Sequence, residues 1–232
     1  MPDPIVVMDN GAVRIIRINR PEKKNALTLA MYVEMTRALR EAEASDAIRC
    51  VIFAGAPGSF CAGNDIADFL KAADSGFDPR ALKFLNALAR SQKPLVAAVG
   101  GVAIGIGTTM LFHFDHVVAG AGAVFSTPFL KLALIPEAAS SLLAPTRMGY
   151  ARAFSMLVMG RPLSAKVDDV ALRAALEIAA LPAGVVALAR QLICGHLDDV
   201  VERINTEAMH FKELLKSDEA RAAFEAFLSR RK

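Results

Sequence analysis

The chain has 232 residues, 54% of them hydrophobic, a mean hydropathy of +0.37, and 27 basic against 24 acidic side chains. A net charge of +3, with no Trp and two Tyr, argues against a nucleic-acid surface, which needs a basic stripe and stacking aromatics. Cys50, Cys61 and Cys194 form an odd set without metal or redox spacing, which fits a reducing compartment.

In chain order, Ile5 to Met8 and Val13 to Asn19 read as strands around Asp9-Asn10-Gly11, because Asn-Gly is a strong hairpin signal. Thr28 is predicted to cap a helix running to about Ser45, with Leu29, Val33, Met35, Leu39 and Ala42 as its apolar positions. Cys50 to Ala54 reads as a buried strand that ends in a Gly55-Ala-Pro-Gly58 turn. Asp65 or Ile66 opens a helix, Ala72 to Phe77 is a loop, and Arg80 to Arg90 is helical. Leu95 to Val99 is a predicted strand, followed by Gly100-Gly101 and a helix from about Gly105. Val117 to Ala119 and Ala123 to Ser126 read as strands, Ser140 to Met148 and Tyr150 to Met159 as helices. From Val167 the pattern is helical: Val167 to Ala180, a helix opening at Pro182, then Leu197 to Leu215 and Asp218 to Phe227. The expectation is an α/β core over 1–165 with a helical region over 166–232.

The longest apolar stretch, Pro94 to Phe112, is broken by Gly100, Gly101, Gly105 and Gly107 and is not a membrane span. Met1-Pro-Asp-Pro lacks the features of a secretion signal and the last residues are not a peroxisomal tripeptide, so the expected location is cytoplasmic. The basic end, Arg230-Arg231-Lys232, reads as a solvated helix terminus. The high apolar content is expected to go into contacts between subunits.

Chemistry is suggested by one acid. Between Asp78 and Asp168 the only carboxylates are Asp115 and Glu137, and Glu137 lies in the apolar and hydroxylic run Leu132-Ala-Leu-Ile-Pro-Glu137-Ala-Ala-Ser-Ser. An acid in such a run is either a solvated residue at a helix start or a buried base with a raised pKa. Two glycine-rich corners accompany it. Ser59-Phe-Cys-Ala-Gly63-Asn64-Asp65-Ile66 and Gly101-Val-Ala-Ile-Gly105-Ile106-Gly107 each lead from a strand into a helix start, where backbone N–H groups lack partners. Asp65 is placed as a helix cap. The second corner does not match a dinucleotide fingerprint. Two N–H groups and one carboxylate suit proton abstraction beside a carbonyl, with an enolate held by the amides.

The same residues resemble the crotonase, or enoyl-CoA hydratase/isomerase, superfamily over nearly the whole length. Asn19-Arg-Pro-Glu-Lys-Lys-Asn-Ala-Leu27 resembles its N-terminal loop, Phe60-Cys-Ala-Gly-Asn-Asp-Ile66 its first oxyanion loop, and Lys93-Pro-Leu-Val-Ala-Ala-Val-Gly-Gly-Val-Ala-Ile-Gly105 the strand before its second. The resemblance implies two small sheets built from ββα turns, with terminal helices supporting a homotrimer or a dimer of trimers. It places the oxyanion N–H groups on Asn64 and Ile106. It sets the backbone of Ala62, Gly63, Asn64, Asp65 and Ile66 against an acyl-CoA thioester, with Gly105 and Phe129 beside it. Lys24, Asn25, Ala26 and Leu27 would line the pantetheine and adenine. No metal or separate cofactor is implied, since coenzyme A arrives as part of the substrate.

Departures from the family select a subgroup. Family hydratases carry catalytic glutamates where this chain has Thr109 and Phe129. Peroxisomal-type Δ3,Δ2-enoyl-CoA isomerases use one glutamate behind a proline, after Thr-Pro-Phe, and Thr127-Pro128-Phe129 with Pro136-Glu137 matches that arrangement. The resemblance therefore implies double-bond isomerisation by Glu137 alone. Its alternatives are hydratase-like or thioester-hydrolysing chemistry, or a catalytically silent CoA-thioester binder. After Gly160 to Lys166 the family continues with a helix, a turn and a short strand, whereas here Val167-Asp-Asp-Val follows directly.

Overall fold

The computed structural model describes residues 3–56, 58–68, 79–164, 171–194 and 197–229. The predicted loop at Ala72 to Phe77, the helix start at Val167 and the basic end lie outside these residues. Strands β1 (Ile5–Asn10) and β2 (Val13–Ile18) pair antiparallel with Asn10 opposite Val13. The turn is therefore Gly11-Ala12, one residue later than the Asn-Gly signal suggests. Gly11, at φ +57°, takes its first position, as primed hairpin turns require.

In α1 (Leu29–Ala44) the Thr28 hydroxyl accepts the Met31 N–H at 3.4 Å. The buried stripe runs Met31, Tyr32, Met35, Ala38, Leu39, Ala42. Val33, expected to point inward, is 44% exposed. It sits about 200° around the helix from both Met31 and Met35 and so faces water.

The chain then repeats one unit three times, a strand in one sheet followed by a strand in another. These pairs are β3 (Cys50–Gly55) with β4 (Gly58–Cys61), β5 (Leu95–Val99) with β6 (Gly101–Ile104), and β7 (His116–Ala119) with β8 (Val124–Ser126). First members join the hairpin in a five-stranded sheet, β1-β2-β3-β5-β7; second members form a four-stranded sheet, β4-β6-β8-β9, where β9 is Leu163–Ser164. Apart from β1–β2 and β8–β9, all pairings are parallel. Strands β4 and β6 are four residues each, rich in Gly, Ser and Ala, and show no apolar alternation by which the sequence could mark them.

Each face of the larger sheet is covered. On one side α1 and α2 (Pro79–Arg90) close over Phe53, Phe84 and Phe114, with Phe53 and Phe114 edge-to-face at 5.4 Å. Next come α3 (Ile106–Thr109), α4 (Ser140–Met148) and α5 (Tyr150–Leu157). On the sheet's other side, α6 (Ala171–Ala180) sets Ala175 and Ala179 against Val13, Cys50, Ile52, Val96 and Val118. Burial on both faces explains why β3 reads as an unbroken apolar run. The predicted helix from Gly105 is a single turn, α3, that tightens into a 3-10 turn at Met110–His113.

Helix α7 (Ala183–Cys194) follows, then α8 (Leu197–Leu215), which buries Val200, Val201 and Ile204 in the main core, and α9 (Asp218–Ser229), which buries Ala220 and Phe224. No helix among the described residues is long and apolar enough to cross a membrane. The chain thus has the crotonase architecture that its motifs imply.

Backbones cross closely where the chain passes between sheets. A Cβ built on Gly107 would lie 2.3 Å from the Cys61 carbonyl oxygen, so only glycine fits. Gly107→Ala is expected to lower stability by on the order of 2–3 kcal/mol, measured by denaturant unfolding. Gly122→Ala, where a Cβ meets nothing within 4 Å, should change the midpoint little.

Candidate active site

The N-terminal loop sets the first glycine corner. The Leu27 N–H donates to the Gly63 carbonyl at 2.8 Å, and the Asp65 N–H donates to the Leu27 carbonyl at 2.8 Å. In such a parallel bridge the intervening residue, Asn64, turns its own N–H away from Leu27. The second corner approaches from β6. Gly105, at φ +56° and ψ −122°, holds a conformation open to glycine, and Ile106 follows as the first residue of α3. Its N–H has no acceptor inside the helix. A Cβ on Gly105 would lie 4.0 Å from the Gly63 Cα, so the two corners touch.

Glu137 is buried, with 8% exposure, which excludes the solvated helix-start reading; α4 begins three residues later. The Thr109 hydroxyl donates to Glu137 Oε1 at 3.2 Å. Thr109 closes the same helical turn that Ile106 opens, and its hydroxyl also lies 3.3 Å from the Gly105 carbonyl, so one short helix carries both the partner of the carboxyl and the Ile106 N–H. Burial pushes the Glu137 pKa up to about 8; the Thr109 hydroxyl pulls it down and the nearby carboxyl of Glu207 adds to the rise. The other titratable neighbours are neutral near that pH. Burial raises Tyr32 well above its ordinary value and Cys61 to about 12, and lowers His113 to about 4.

Glu137 stands on an unusual turn. Ala138 and Ala139 have φ of +61° and +53°, a left-handed conformation that costs non-glycine residues roughly 1–2 kcal/mol each. Three contacts hold it. His113 Nε2 lies 2.8 Å from the Ala138 carbonyl, Ser140 Oγ donates to the Glu137 carbonyl at 2.6 Å, and Glu207 from α8 accepts the Ser141 N–H at 3.1 Å. Glu207, 5% exposed, is the residue that sequence reading missed. In sequence it is one acid among several on an amphipathic helix, with Glu202 and Glu213 nearby.

The remaining predicted residues divide by role. Asn64 is tied by its side chain, whose Oδ1 accepts the Tyr32 hydroxyl at 2.5 Å. Asn25 is fully buried; its Oδ1 accepts the Arg20 N–H and its Nδ2 donates to the Ser59 and Phe60 carbonyls, so the side chain staples the loop. The Lys24 carbonyl accepts from the Ala62 N–H at 3.0 Å, while its side chain is exposed. Leu27 is buried in the core, and both of its backbone groups serve the Asn64 corner. Ala26 is partly exposed. Asp65 accepts from Arg20 at 2.7 Å and from the Ala67 N–H at 3.0 Å, and therefore caps the start at Ile66. Phe129 and Ile66 join Phe211, Leu215 and Phe224 in an apolar cluster between the Glu137 segment and the terminal helices.

A carboxyl whose folded pKa exceeds its unfolded one favours folding while protonated. That contribution is complete below pH 4.5 and disappears as pH rises through about 8. Glu137→Gln is therefore expected to be more stable than wild type at pH 9, by on the order of 2–4 kcal/mol, with little gain at pH 5. Chemical denaturation at the two pH values measures the difference.

A profile of the family described as "Enoyl-CoA hydratase/isomerase" matches residues 8–232. Enoyl-CoA delta isomerase 2 of Rattus norvegicus is 40% identical over 169 residues, covering 70% of this chain and 43% of that protein. Enoyl-CoA delta isomerase 3, peroxisomal, of Mus musculus is 36% identical over 170 residues, covering 71% and 53%. The chain thus spans about half the length of the curated relatives it matches. The solved structure of Pseudomonas aeruginosa OdaA superposes with a TM-score of 0.92 at 36% identity, covering 97% of this chain and 99% of that one. The chain belongs to the enoyl-CoA hydratase/isomerase, or crotonase, family.

Proposed function

We propose that the protein isomerises enoyl-CoA thioesters, moving a double bond from the 3- to the 2-position. The observation that carries this reading is the buried carboxyl of Glu137, held by Thr109 on the one-turn helix that starts with the Ile106 N–H. The Glu137 carboxylate takes a proton from C2. The C2–H electron pair enters a dienolate, whose oxygen accepts hydrogen bonds from the Asn64 and Ile106 N–H groups. The carboxylic acid returns the proton to C4, the double bond settles between C2 and C3, and no oxidant or water is consumed. A base with a pKa near 8 matches the strength needed beside a thioester better than an ordinary carboxylate. The backbone of Ala62 to Ile66, with Lys24 and Ala26 at the rim, would grip the coenzyme A portion.

Hydration is the second reading, because the family description covers both reactions. It employs two carboxyls, and Thr109 and Phe129 occupy the places where the family's hydratases carry theirs. Glu207, the other buried acid here, is engaged with Ser141.

Exposed apolar side chains, among them Tyr150, Val185 and Leu188, support association of copies through the helices, and a trimer or dimer of trimers is the arrangement we propose. Sedimentation at micromolar concentration tests it; a stable monomer contradicts it.

Glu137→Gln is expected to lower isomerisation of a 3-enoyl-CoA by a hundredfold or more while leaving CoA-ester affinity within a few-fold. Crotonyl-CoA hydration, measured in parallel, should be very slow, and rapid hydration by pure protein would overturn the isomerase reading. The ionised base is the working form, so kcat/KM should rise about tenfold per pH unit and level off above about 8. Thr109→Val removes the hydroxyl that favours the anion and should move that limb to higher pH. A limb that stays in place would detach Thr109 from the base.

A further inference from the structure

Glu207 has no part in the reaction as written, yet it is a buried acid on a C-terminal helix beside the turn that carries the base. We infer that Glu207 is the positioning residue for Glu137, clamping the left-handed turn Ala138-Ala139 from α8. This rests on the reading of Glu137 as the base.

Three independent features support it. First, Glu207 Oε1 takes both donors of Ser141, the N–H at 3.1 Å and the hydroxyl, two residues beyond the strained Ala139. The Ser141 hydroxyl in turn accepts from Arg203 at 2.9 Å, one helical turn before Glu207 on α8. Second, Glu207 is 5% exposed and its Oε2 has no hydrogen-bond partner among the described residues. A carboxyl kept at that desolvation cost solely to cap α4 is poor design, since a serine or asparagine would cap with less loss. Third, the opposite side of the turn is fixed by His113 against the Ala138 carbonyl, so Glu207 and His113 hold the Glu137 segment between two elements.

The charge has a second consequence. Burial raises the Glu207 pKa, while the Ser141 hydroxyl, the Ser141 and Ala139 amides and Arg203 pull it back toward the anion. The described groups around Glu137 are Thr109 and Tyr32, Cys61 on β4, His113 on the 3-10 turn, and Glu207 with Arg203 on α8. Near pH 8 Tyr32, Cys61 and His113 are uncharged. Glu207 is the like charge in that set, and it acts on Glu137 through space. Glu207 therefore positions the base and keeps it strong.

Two variants of the full chain separate these effects. Glu207→Gln keeps an oxygen for Ser141 and removes the charge. Its plateau kcat should stay within about threefold of wild type, while the ascending limb of the kcat/KM profile moves down by roughly half a pH unit or more. Glu207→Ala removes the clamp as well, and its plateau kcat should fall at least about tenfold with KM changed less than about threefold. A purely structural role would lower the folded fraction and leave the limb in place. An unmoved limb in Glu207→Gln overturns the inference, as does a folded Glu207→Ala with wild-type kcat. Should Glu207→Ala fail to fold, the limb of Glu207→Gln decides alone. Glu137→Gln, run beside them, keeps the two readings apart: if it remains active, Glu137 is not the base, whereas an inactive Glu137→Gln with an unmoved Glu207→Gln limb removes only the role of Glu207.

Discussion

The cost of burying one carboxyl governs the site. Glu137 has no cation beside it among the described residues; its hydrogen-bond partner is the neutral Thr109 hydroxyl. A buried acid in that position relieves its desolvation by holding its proton, which is why its pKa lies near 8 rather than 4.5. An arginine at the same place would restore stability and return the carboxyl toward its ordinary pKa. Under the proposed mechanism this is folding free energy exchanged for reactivity, and the rest of the structure has to supply what Glu137 withdraws.

Much of that supply is backbone geometry. The alternation of strands between two sheets brings the Gly63 and Gly105 corners together; the Asn64 N–H turns away from its bridge partner Leu27, and the Ile106 N–H opens a helix that offers it no acceptor. Such donors need no side-chain reorganisation when an oxyanion forms. Their direction depends on the pairing of Leu27 with Gly63 and Asp65, and that pairing depends on Asn25, whose amide ties the loop to Ser59 and Phe60. The loop residues taken from the sequence as a ligand lining are thus partly scaffolding. Asn25 and Leu27 face inward, and Lys24 alone of the segment has an exposed charged side chain.

What could be read from the sequence follows physical lines. The isolation of Glu137 in an apolar run is a one-dimensional signal, and so are glycines followed by helix starts. The helix spans at Ser140–Met148 and Leu197–Leu215 follow from apolar period and flanking breakers. By contrast, β4 and β6 are too short to display a period, and they pair between distant parts of the chain, Gly58 with Gly101 and, for β6, Val102 with Val124. The left-handed pair Ala138-Ala139 was illegible because alanine is no marker for positive φ. Glu207 was illegible for a different reason. Its position shares the buried stripe of Val200, Ile204 and Phe211, but an acid is not read as a core residue, and nothing in the sequence marks Ser141, far away in the chain, as the partner that receives it.

The docking of α8 at Ser141 ties the terminal helices to the segment that carries Glu137. Helix α8 reaches the main core through Val200, Val201 and Ile204, touches the base's turn through Arg203 and Glu207, and ends at Phe211 and Leu215 in the cluster that includes Phe129. A shift of this helix along its axis would alter the apolar wall and the clamp on Glu137 together, because both sets of contacts lie on one rigid element. Substitutions on α8 should then fall into two kinds. Those at Val200 or Ile204 act through stability, as cavities in a shared core do. Those at Arg203 or Glu207 act on the carboxyl itself, through the turn and through charge. The helical period alone does not separate them, because 200, 204, 207 and 211 share one buried stripe with 203 at its edge; what separates them is the partner each meets, apolar core for Val200 and Ile204 and Ser141 for Arg203 and Glu207.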